Sequence, residues 1–257
     1  MSQKVKFENG DGATLVGILD KAESDKAPAA VLSHSFTGYK EIPHLYKIAK
    51  ELMDRGVHVL RFDFSDCVGE SEGSCEDITV TSQVDDLNSA VSFIKNKDFV
   101  NGSIGLAGHS LGGMTSIIVA SEREDIDAIV PAAAPAYMDL KHLVGGEEEI
   151  DRWREQGYYT FDSFKKGEVD VGWGFVEDMR RYDACEYIRG FEGPVRIIHG
   201  DKDNIVPLQH GEKLFKNSTH PKQLHIISGA DHLYGDEDTQ KEMVMLAAGW
   251  LEDHLDH

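Results

Sequence analysis

The chain has 257 residues, a length that fits one large α/β domain or two small ones. Hydrophobic residues make up 40% and charged residues 28%, a composition that excludes wholesale disorder. Acidic residues outnumber basic ones by 46 to 26, which gives a formal net charge of −20. A surface this acidic repels nucleic-acid phosphates and anionic lipid headgroups, so we expect neither nucleic acid nor a membrane as a partner.

The apolar runs and the cysteines indicate a cytoplasmic protein. No run approaches the ~20 apolar residues that span a bilayer, and the first residues lack the apolar stretch of a signal peptide. Cys67, Cys75 and Cys185 form no C-x-x-C pair. We therefore expect free thiols in a reducing compartment and predict no metal site.

Two hydrophobic periodicities alternate along the first half of the chain. Strands are predicted at 4–7 and 14–19, separated by the turn residues Asn9–Gly12. Further apolar runs predict strands, and three- and four-residue spacings predict helices. In chain order these are a strand at 29–33, a helix at 43–55, a strand at 57–62, a helix at 81–96, a strand at 104–107, a helix at 111–121 and a strand at 128–130.

The alternation breaks at Pro131 and resumes at Val195. It continues with a strand at 195–199, a helix from Pro207, a strand at 223–227 and a helix from about 239 to 254. Alternating strands and helices predict a parallel sheet covered by helices on both faces. Because we find no internal repeat or linker, we expect a single domain, residues 1–257, with one insertion at about 133–193.

The predicted insertion is rich in aromatic residues. It holds 11 of the chain's 22 aromatic side chains in less than a quarter of the length. Two compatible interpretations are open. The rings form the core of a small helical cap, or they belong to a lid that lines an apolar pocket.

Ser110 lies in the run G-H-S-L-G-G at 108–113. The predicted strand before it ends at Ala107, and the predicted helix after it begins near Leu111. A serine on so sharp a turn is held strained and exposed at the top of a sheet, and Gly108 and Gly112 must lack side chains because the flanking chain is crowded. A serine hydroxyl becomes a good nucleophile when a base takes its proton, so Ser110 is the candidate nucleophile.

Among the chain's twelve histidines, position favours His232 as the base. It lies in the loop after the last predicted strand, and loops at the carboxyl ends of parallel strands share one rim of the sheet. His109 is expected to face away from a cleft that Ser110 faces. His58 and His199 lie within predicted strands, where core histidines are expected.

The third member of such a site holds the imidazole tautomer and stabilises its positive charge. Asp203 lies deep in the loop after the strand at 195–199, and its rival Asp201 suits the tight turn after Gly200. The alternative role for either aspartate is purely structural: it would cap the helix that is predicted to begin at Pro207.

An oxyanion at this site would need backbone donors. The amide of Leu111, the residue after the candidate nucleophile, is one predicted donor. The other is expected in the loop after the third strand, residues 33–38, and Phe36 is the predicted residue.

The sequence resembles the α/β-hydrolase superfamily over nearly its whole length. It is most similar to the small bacterial and archaeal serine esterases that include the feruloyl (cinnamoyl) esterases. The chain order Ser110, Asp203, His232 is also that of an α/β-hydrolase. The marks are H-S-F-T-G at 34–38, R-F-D-F at 61–64, G-E-S-E-G at 69–73, G-H-S-L-G-G at 108–113, H-G-D-K-D-N-I-V-P at 199–207 and G-A-D-H at 229–232. The resemblance implies the α/β-hydrolase fold, a mostly parallel eight-stranded sheet with a lid inserted after the sixth strand, together with ester hydrolysis and no cofactor.

The sequence departs from this pattern beside the expected cleft. Ser35 stands where relatives usually have glycine, and residues 65–69 replace the common R-G-x-G loop. The acyl preference therefore stays open. The resemblance to feruloyl esterases implies that the lid supplies polar groups to a phenolic hydroxyl. The candidate substrate-binding residues are His34, Asp139, Tyr158 and Tyr159.

The leading hypothesis is a serine carboxylesterase that hydrolyses small carboxylic esters through an acyl-enzyme, with cinnamoyl or feruloyl-type esters as one candidate class. The alternatives are a thioesterase, an acyl-peptide hydrolase, and a non-catalytic binding protein with the same fold. The expected partner is a small-molecule ester. Periodicity does not separate a dimer interface from core, so a monomer and a homodimer both stay open.

Overall fold

The computed structural model describes residues 2–24, 26–65 and 68–256. The strands are β1 (Ser2–Glu8), β2 (Thr14–Asp20), β3 (Ala27–Ser33), β4 (His58–Phe62), β5 (Val100–His109), β6 (Ala128–Ala132), β7 (Tyr158–Ser163), β8 (Gly167–Gly172), β9 (Val195–Gly200) and β10 (Lys222–Ile227). The helices are α1 (Pro43–Asp54), α2 (Val80–Lys95), α3 (Leu111–Glu122), α4 (Leu140–Val144), α5 (Glu147–Gln156), α6 (Gly174–Met179), α7 (Ala184–Gly190), α8 (Gln209–Asn217) and α9 (Glu237–His254), with a short 3₁₀ helix at Cys75–Asp77.

Among the described residues, eight strands form the main sheet, in the order β1-β2-β4-β3-β5-β6-β9-β10. Strand β2 pairs antiparallel with β1 and β4, and the remaining neighbours pair in parallel. The carboxyl ends of β5, β9 and β10 therefore meet at one rim, as the strand and helix pattern predicts. This confirms the predicted mostly parallel eight-stranded sheet.

Helices cover both faces of this sheet, and strand β3 shows why. Its side chains alternate, so Ala29 and Val31 join the apolar core beneath α2 and α3. Ala30 and Leu32 join the core beneath α1 and α9. All four side chains are fully buried. A strand buried on both faces must be apolar along its length, which explains the continuous apolar run there.

Helix α1 illustrates how the sequence sets an element's limits. Pro43 occupies the first turn, where its missing N–H costs no hydrogen bond. The residues predicted to recur on one face, Leu45, Ile48, Ala49 and Leu52, are all buried. Gly56 follows the helix with φ of +84°, a conformation that glycine adopts without strain.

Residues 133–194, between β6 and β9, lie outside the main sheet and are called the β6–β9 segment below. They include α4 to α7 and an antiparallel hairpin of β7 and β8. The expectation of a helical cap was therefore incomplete. Trp153 is fully buried within the segment, its indole N–H donates to the Val171 carbonyl, and its ring contacts Trp173 and Phe175. These rings pack against one another within the segment and join the apolar core beneath α2 and α3.

Two further expectations concern membrane-spanning helices and the cysteines. Across the described ranges, no helix combines the length and the apolar character needed to cross a bilayer. Cys185 is a buried free thiol. Asp66 and Cys67 lie outside the described residues, so the expectations about them stay predictions.

Candidate active site

Ser110 occupies a strained turn between β5 and α3. Its φ of 56° and ψ of −122° lie in a region that non-glycine residues rarely adopt. The Ser110 amide donates to the Ala132 carbonyl at 2.8 Å, which ties the turn to the neighbouring strand β6. Such strain persists where the surrounding structure imposes it, and it concentrates at functional sites.

The glycines beside Ser110 are required by close backbone contacts. A Cβ atom on Gly108 would lie 2.2 Å from the Gly112 carbonyl oxygen. A Cβ atom on Gly112 would lie 2.3 Å from the His34 carbonyl oxygen. Both distances are far below van der Waals contact, so the crowding predicted from the sequence is present.

The structure brings Ser110, His232 and Asp203 into one chain of hydrogen bonds. Ser110 Oγ lies 3.0 Å from His232 Nε2, and His232 Nδ1 lies 2.8 Å from Asp203 Oδ2. All three residues are buried. With a proton on Nδ1 the imidazole donates to the carboxylate, which leaves Nε2 free to accept the serine proton. The arrangement can therefore activate a nucleophile.

Asp203 is held as a carboxylate by its surroundings. Burial alone would raise its pKa, but hydrogen bonds with His199 and His232 outweigh burial and lower the pKa below its usual value. Oδ1 also accepts the amides of Ile205 and Val206 at 3.0 and 2.8 Å. Asp201 instead accepts the Gly229 amide at the exposed end of the same loop.

The other histidines near the sheet have structural contacts. His109 Nε2 donates to the main-chain carbonyl of His232 at 2.8 Å, which helps to fix the position of that residue. His58 accepts the Ala22 amide through Nδ1 and donates to the Phe99 carbonyl through Nε2. His199 Nε2 donates to the Val206 carbonyl at 2.7 Å.

The loop that follows β3 carries Phe36 to the cleft. Within it, the Gly38 amide donates to the Ser35 carbonyl at 2.9 Å, and Thr37 adopts a φ of 51°. His34 is fully buried, donates to the Ser35 carbonyl through Nδ1 and accepts the Phe64 amide through Nε2. His34 therefore has no free ring nitrogen for the predicted contact with the substrate, because both nitrogens stabilise the loop.

The cleft has two lobes that meet at Ser110. Lobe 1 has an empty volume of about 490 Å³, and lobe 2 has about 890 Å³. Phe36, Ser110, Leu143 and Ile205 line both lobes. Further residues of lobe 1 are Leu111, Pro135, Tyr137, Met138, Asp139, Leu140, Phe175, Met179, Val206 and His210. Further residues of lobe 2 are Ser35, Thr37, Phe161, Asp162, Ser163, Phe164, His232 and Leu233.

The chain matches two known protein families. A model of the prolyl oligopeptidase family matches residues 75–257. The chain belongs to the prolyl oligopeptidase family. A model of an acyl transferase family matches residues 5–134.

This prolyl oligopeptidase family member is also similar to individual known proteins. Thiohydrolase apmlB of Arthrinium phaeospermum is 30% identical, over 80% of this chain and 69% of that protein. The uncharacterized protein YfhR of Escherichia coli O157:H7 is 25% identical, over 90% of this chain and 74% of that protein. Est1E of Butyrivibrio proteoclasticus, solved with ferulic acid bound, superposes with a TM-score of 0.81 at 24% identity, covering 97% of this chain and 98% of that one. The protein is thus a hydrolase of the α/β-hydrolase type.

Of the three remaining predicted substrate residues, Asp139 lines the cleft and the two tyrosines do not. Asp139 lines lobe 1. Among the described residues that line the two lobes, neither Tyr158 nor Tyr159 occurs. Tyr158 is exposed on β7, and the Tyr159 ring packs against those of Trp153 and Phe161.

His210 is a lobe 1 residue that the sequence did not single out. Its Nδ1 accepts the Ala136 amide at 3.1 Å, so the ring hydrogen lies on Nε2, 3.9 Å from Asp139 Oδ2. Burial lowers the pKa of His210 to about 4, which keeps the ring neutral near pH 7. The Tyr137 ring stacks on it. Nothing in the local sequence of α8 distinguishes this histidine from the others.

No metal centre is evident in residues 2–24, 26–65 and 68–256. In these ranges, no group of three or more His, Cys, Asp or Glu side chains has an arrangement that could hold a metal ion.

Proposed function

We propose that this protein is a serine hydrolase that cleaves small carboxylic esters through an acyl-enzyme. The observation that supports it most is the buried hydrogen-bond chain from Ser110 through His232 to Asp203, which opens onto an apolar cleft. A nucleophile, a base and an orienting carboxylate in this order are what acyl transfer requires.

The proposed reaction has two halves. Ser110 Oγ attacks the ester carbonyl while His232 takes its proton, and Asp203 stabilises the imidazolium. The amides of Phe36 and Leu111 hold the oxyanion. The C–O bond to the alcohol breaks as His232 returns the proton to the alcohol oxygen. Water, activated by the same histidine, then releases the acid.

The proton transfer from His232 indicates which part of the ester lies in each lobe. The alcohol oxygen must reach His232 Nε2 to receive its proton. His232 lines lobe 2 and is not among the described residues that line lobe 1. The alcohol part therefore leaves through lobe 2, and the acyl part occupies lobe 1. Because α4 and α6 supply residues of lobe 1, the β6–β9 segment acts as a lid over the acyl group.

Lobe 1 suits an apolar acyl group that carries a polar substituent. Leu143, Phe175 and Met179 give it apolar walls, and aromatic groups bind well to such surfaces. A hydroxyl beside both groups can accept from His210 Nε2 and donate to Asp139 Oδ2, which lie 3.9 Å apart; the same Asp139 oxygen also contacts His142 Nδ1 at 2.8 Å. Hydroxycinnamoyl esters carry such a hydroxyl. The fold likeness to Est1E, solved with ferulic acid, is in keeping with this class.

A thioester is the second candidate substrate. It is favoured by the 30% identity to thiohydrolase apmlB, and the same three side chains can cleave a thioester by the same steps. Parallel assays of an ester and a thioester with one common acyl group would rank the two.

Labelling with a fluorophosphonate tests the proposal directly. Wild-type protein should be labelled at Ser110 and should hydrolyse nitrophenyl esters. Ser110→Ala should lose the label and at least about three orders of magnitude of kcat, with an unchanged melting temperature. Folded Ser110→Ala protein that keeps half the esterase activity would overturn the mechanism.

A further inference from the structure

We propose that lobe 2 is a binding site for an apolar, uncharged alcohol group of the ester, and that Phe164, Ile205 and Leu233 determine its specificity. This inference rests on the proposed function, and it goes beyond it by naming the chemistry of the leaving group.

The three residues are large apolar side chains exposed to solvent. Phe164 is 46% exposed, Ile205 37% and Leu233 39%. Single exposed apolar residues are ordinary, but a cluster of them beside a cavity marks a binding surface. These three come from separate parts of the chain: the turn between β7 and β8, the loop after β9, and the loop after β10. All three line lobe 2.

The walls of lobe 2 continue this apolar character inward. Phe36, Leu143 and Phe161, which are half-buried, also line it. The Phe161 ring meets that of Phe36 edge to face, with centroids 5.0 Å apart, which holds both rings in place. An apolar group on the alcohol would therefore contact both of these rings and the exposed apolar side chains.

Part of the polar surface of lobe 2 is engaged within the protein. Thr37 Oγ1 donates to the Asp162 carbonyl, at 3.4 Å. Ser163 Oγ accepts the Lys166 amide at 3.0 Å, which closes the hairpin turn. These bonds reduce the number of groups that can serve a sugar or another polyhydroxylated alcohol.

Charge argues against an anionic leaving group. Asp162 lines the lobe, and no lysine or arginine is among the described residues that line it. A phosphorylated alcohol would therefore lie beside a carboxylate with no lysine or arginine in the lining to pair with. An uncharged apolar alcohol meets no such barrier and gains from burial beside the rim.

The test compares esters that share one acyl group and differ in the alcohol, such as benzyl and glyceryl esters. We expect wild-type kcat/KM to be at least about tenfold higher for the benzyl ester, because burial of a ring distinguishes the two by one to two orders of magnitude. Phe164→Ser should reduce that ratio at least about threefold. Fluorophosphonate labelling counts the active sites in each preparation, so that each kcat/KM is expressed per active site.

Ile226→Ser is the matched control. Ile226 is 44% exposed on β10 and is not among the described residues that line either lobe, so its variant should keep the wild-type ratio. An active wild-type enzyme with no preference, or a Phe164→Ser ratio equal to that of wild type, overturns the inference alone. Absence of both labelling and ester hydrolysis overturns the proposed function first, and the inference with it.

Discussion

His232 Nδ1 lies 2.8 Å from Asp203 Oδ2, and His199 Nε2 lies 3.5 Å from the same oxygen. One carboxylate, in the loop after β9, thus contacts two imidazoles, that of His199 within β9 and that of His232 in the loop after β10. Together with the amides on Oδ1, these contacts fix the carboxylate's orientation. The orientation of the His232 ring, and hence of its free Nε2, follows from that of Asp203.

Asp203→Asn should reduce kcat by about four orders of magnitude, because the amide favours the wrong imidazole tautomer and cannot stabilise the imidazolium. Asparagine keeps an oxygen for the Ile205 and Val206 amides, so the loop should stay folded. Steady-state kinetics and thermal unfolding measure the two effects. Asp201→Asn, two residues away, should stay within about twofold of wild type. An Asp203→Asn variant with a tenth of wild-type kcat would contradict the assigned role.

The pH dependence of kcat/KM should report the protonation of a histidine base. A histidine base must be neutral to accept the serine proton, and acid protonates it. On the acidic side kcat/KM should therefore fall about tenfold per pH unit. The measurement needs an ester that acylates quickly, over pH 5 to 9. A flat profile over that range would speak against a histidine base.

The crowding around Ser110 gives a stability prediction. Gly112→Ala should destabilise the protein by more than ~3 kcal/mol, because its Cβ would lie 2.3 Å from a carbonyl oxygen of the main chain. Gly174→Ala is the control, since no heavy atom lies within 4 Å of its Cβ position. It should change the free energy of unfolding by less than ~1 kcal/mol. Urea unfolding measures both, and equal effects would contradict the account of the turn.

Much of the sheet and the three central site residues could be predicted from the sequence, because they depend on local patterns. Buried parallel strands are apolar runs, and Ser110 and Asp203 each follow one, whereas His232 follows the half-exposed edge strand β10. The sequence predicts β5 at 104–107, and the strand extends over Val100–His109 because it pairs with β3 from Val100 and with β6 as far as His109.

The lobes could not be predicted, because they depend on distant segments that meet only in the fold. Phe164 lies on a hairpin whose strands are half exposed, so their alternation is weak in the sequence. His210 reaches lobe 1 from the first turn of α8, and no local signal marks it. His34 fits the family motif, yet its ring nitrogens are used within the loop.

Acid should destabilise the fold through its buried histidines, and His44 is the clearest case. Burial, and then the charge of His232, lower the pKa of His44 from 6.5 to about 3. The unfolded chain therefore takes up a proton below pH 6.5 that the folded chain does not take until about pH 3. Stability is lost as pH falls through this window, by up to ~1.4 kcal/mol per pH unit for this residue.

His44→Phe should remove about one proton from the uptake that accompanies unfolding between pH 6 and pH 5. Within the described part of the chain, His44 Nε2 has no hydrogen-bond partner, so phenylalanine breaks no bond there. Leu45→Ala, at the buried neighbouring position, should lower the free energy of unfolding at every pH without altering its slope. Urea unfolding at several pH values in this window measures the free energy of unfolding of each variant and its slope against pH. An unchanged slope in His44→Phe would show that the residue is not buried neutral.

The last prediction concerns Phe175, which lines lobe 1 and is almost fully buried. If this ring contacts the acyl group, a cinnamoyl ester should have a higher kcat/KM than a saturated ester of similar apolar area. The comparison must match area, because each buried CH₂ contributes ~0.8 kcal/mol by itself. Phe175→Leu should reduce the ratio about threefold to tenfold, since ring contacts contribute roughly 0.5–1.5 kcal/mol beyond area.

Trp153 supplies the control for that experiment. Its ring stacks on Phe175 with centroids 6.2 Å apart and planes inclined by 11°, yet it is not among the described residues that line either lobe. Trp153→Phe should lose stability, because it removes the hydrogen bond to Val171 and leaves a cavity, but it should keep the cinnamoyl preference. If intact protein processes both esters equally well, the rings of the β6–β9 segment serve only the packing of the protein. The natural acyl group would then be a short or medium aliphatic chain.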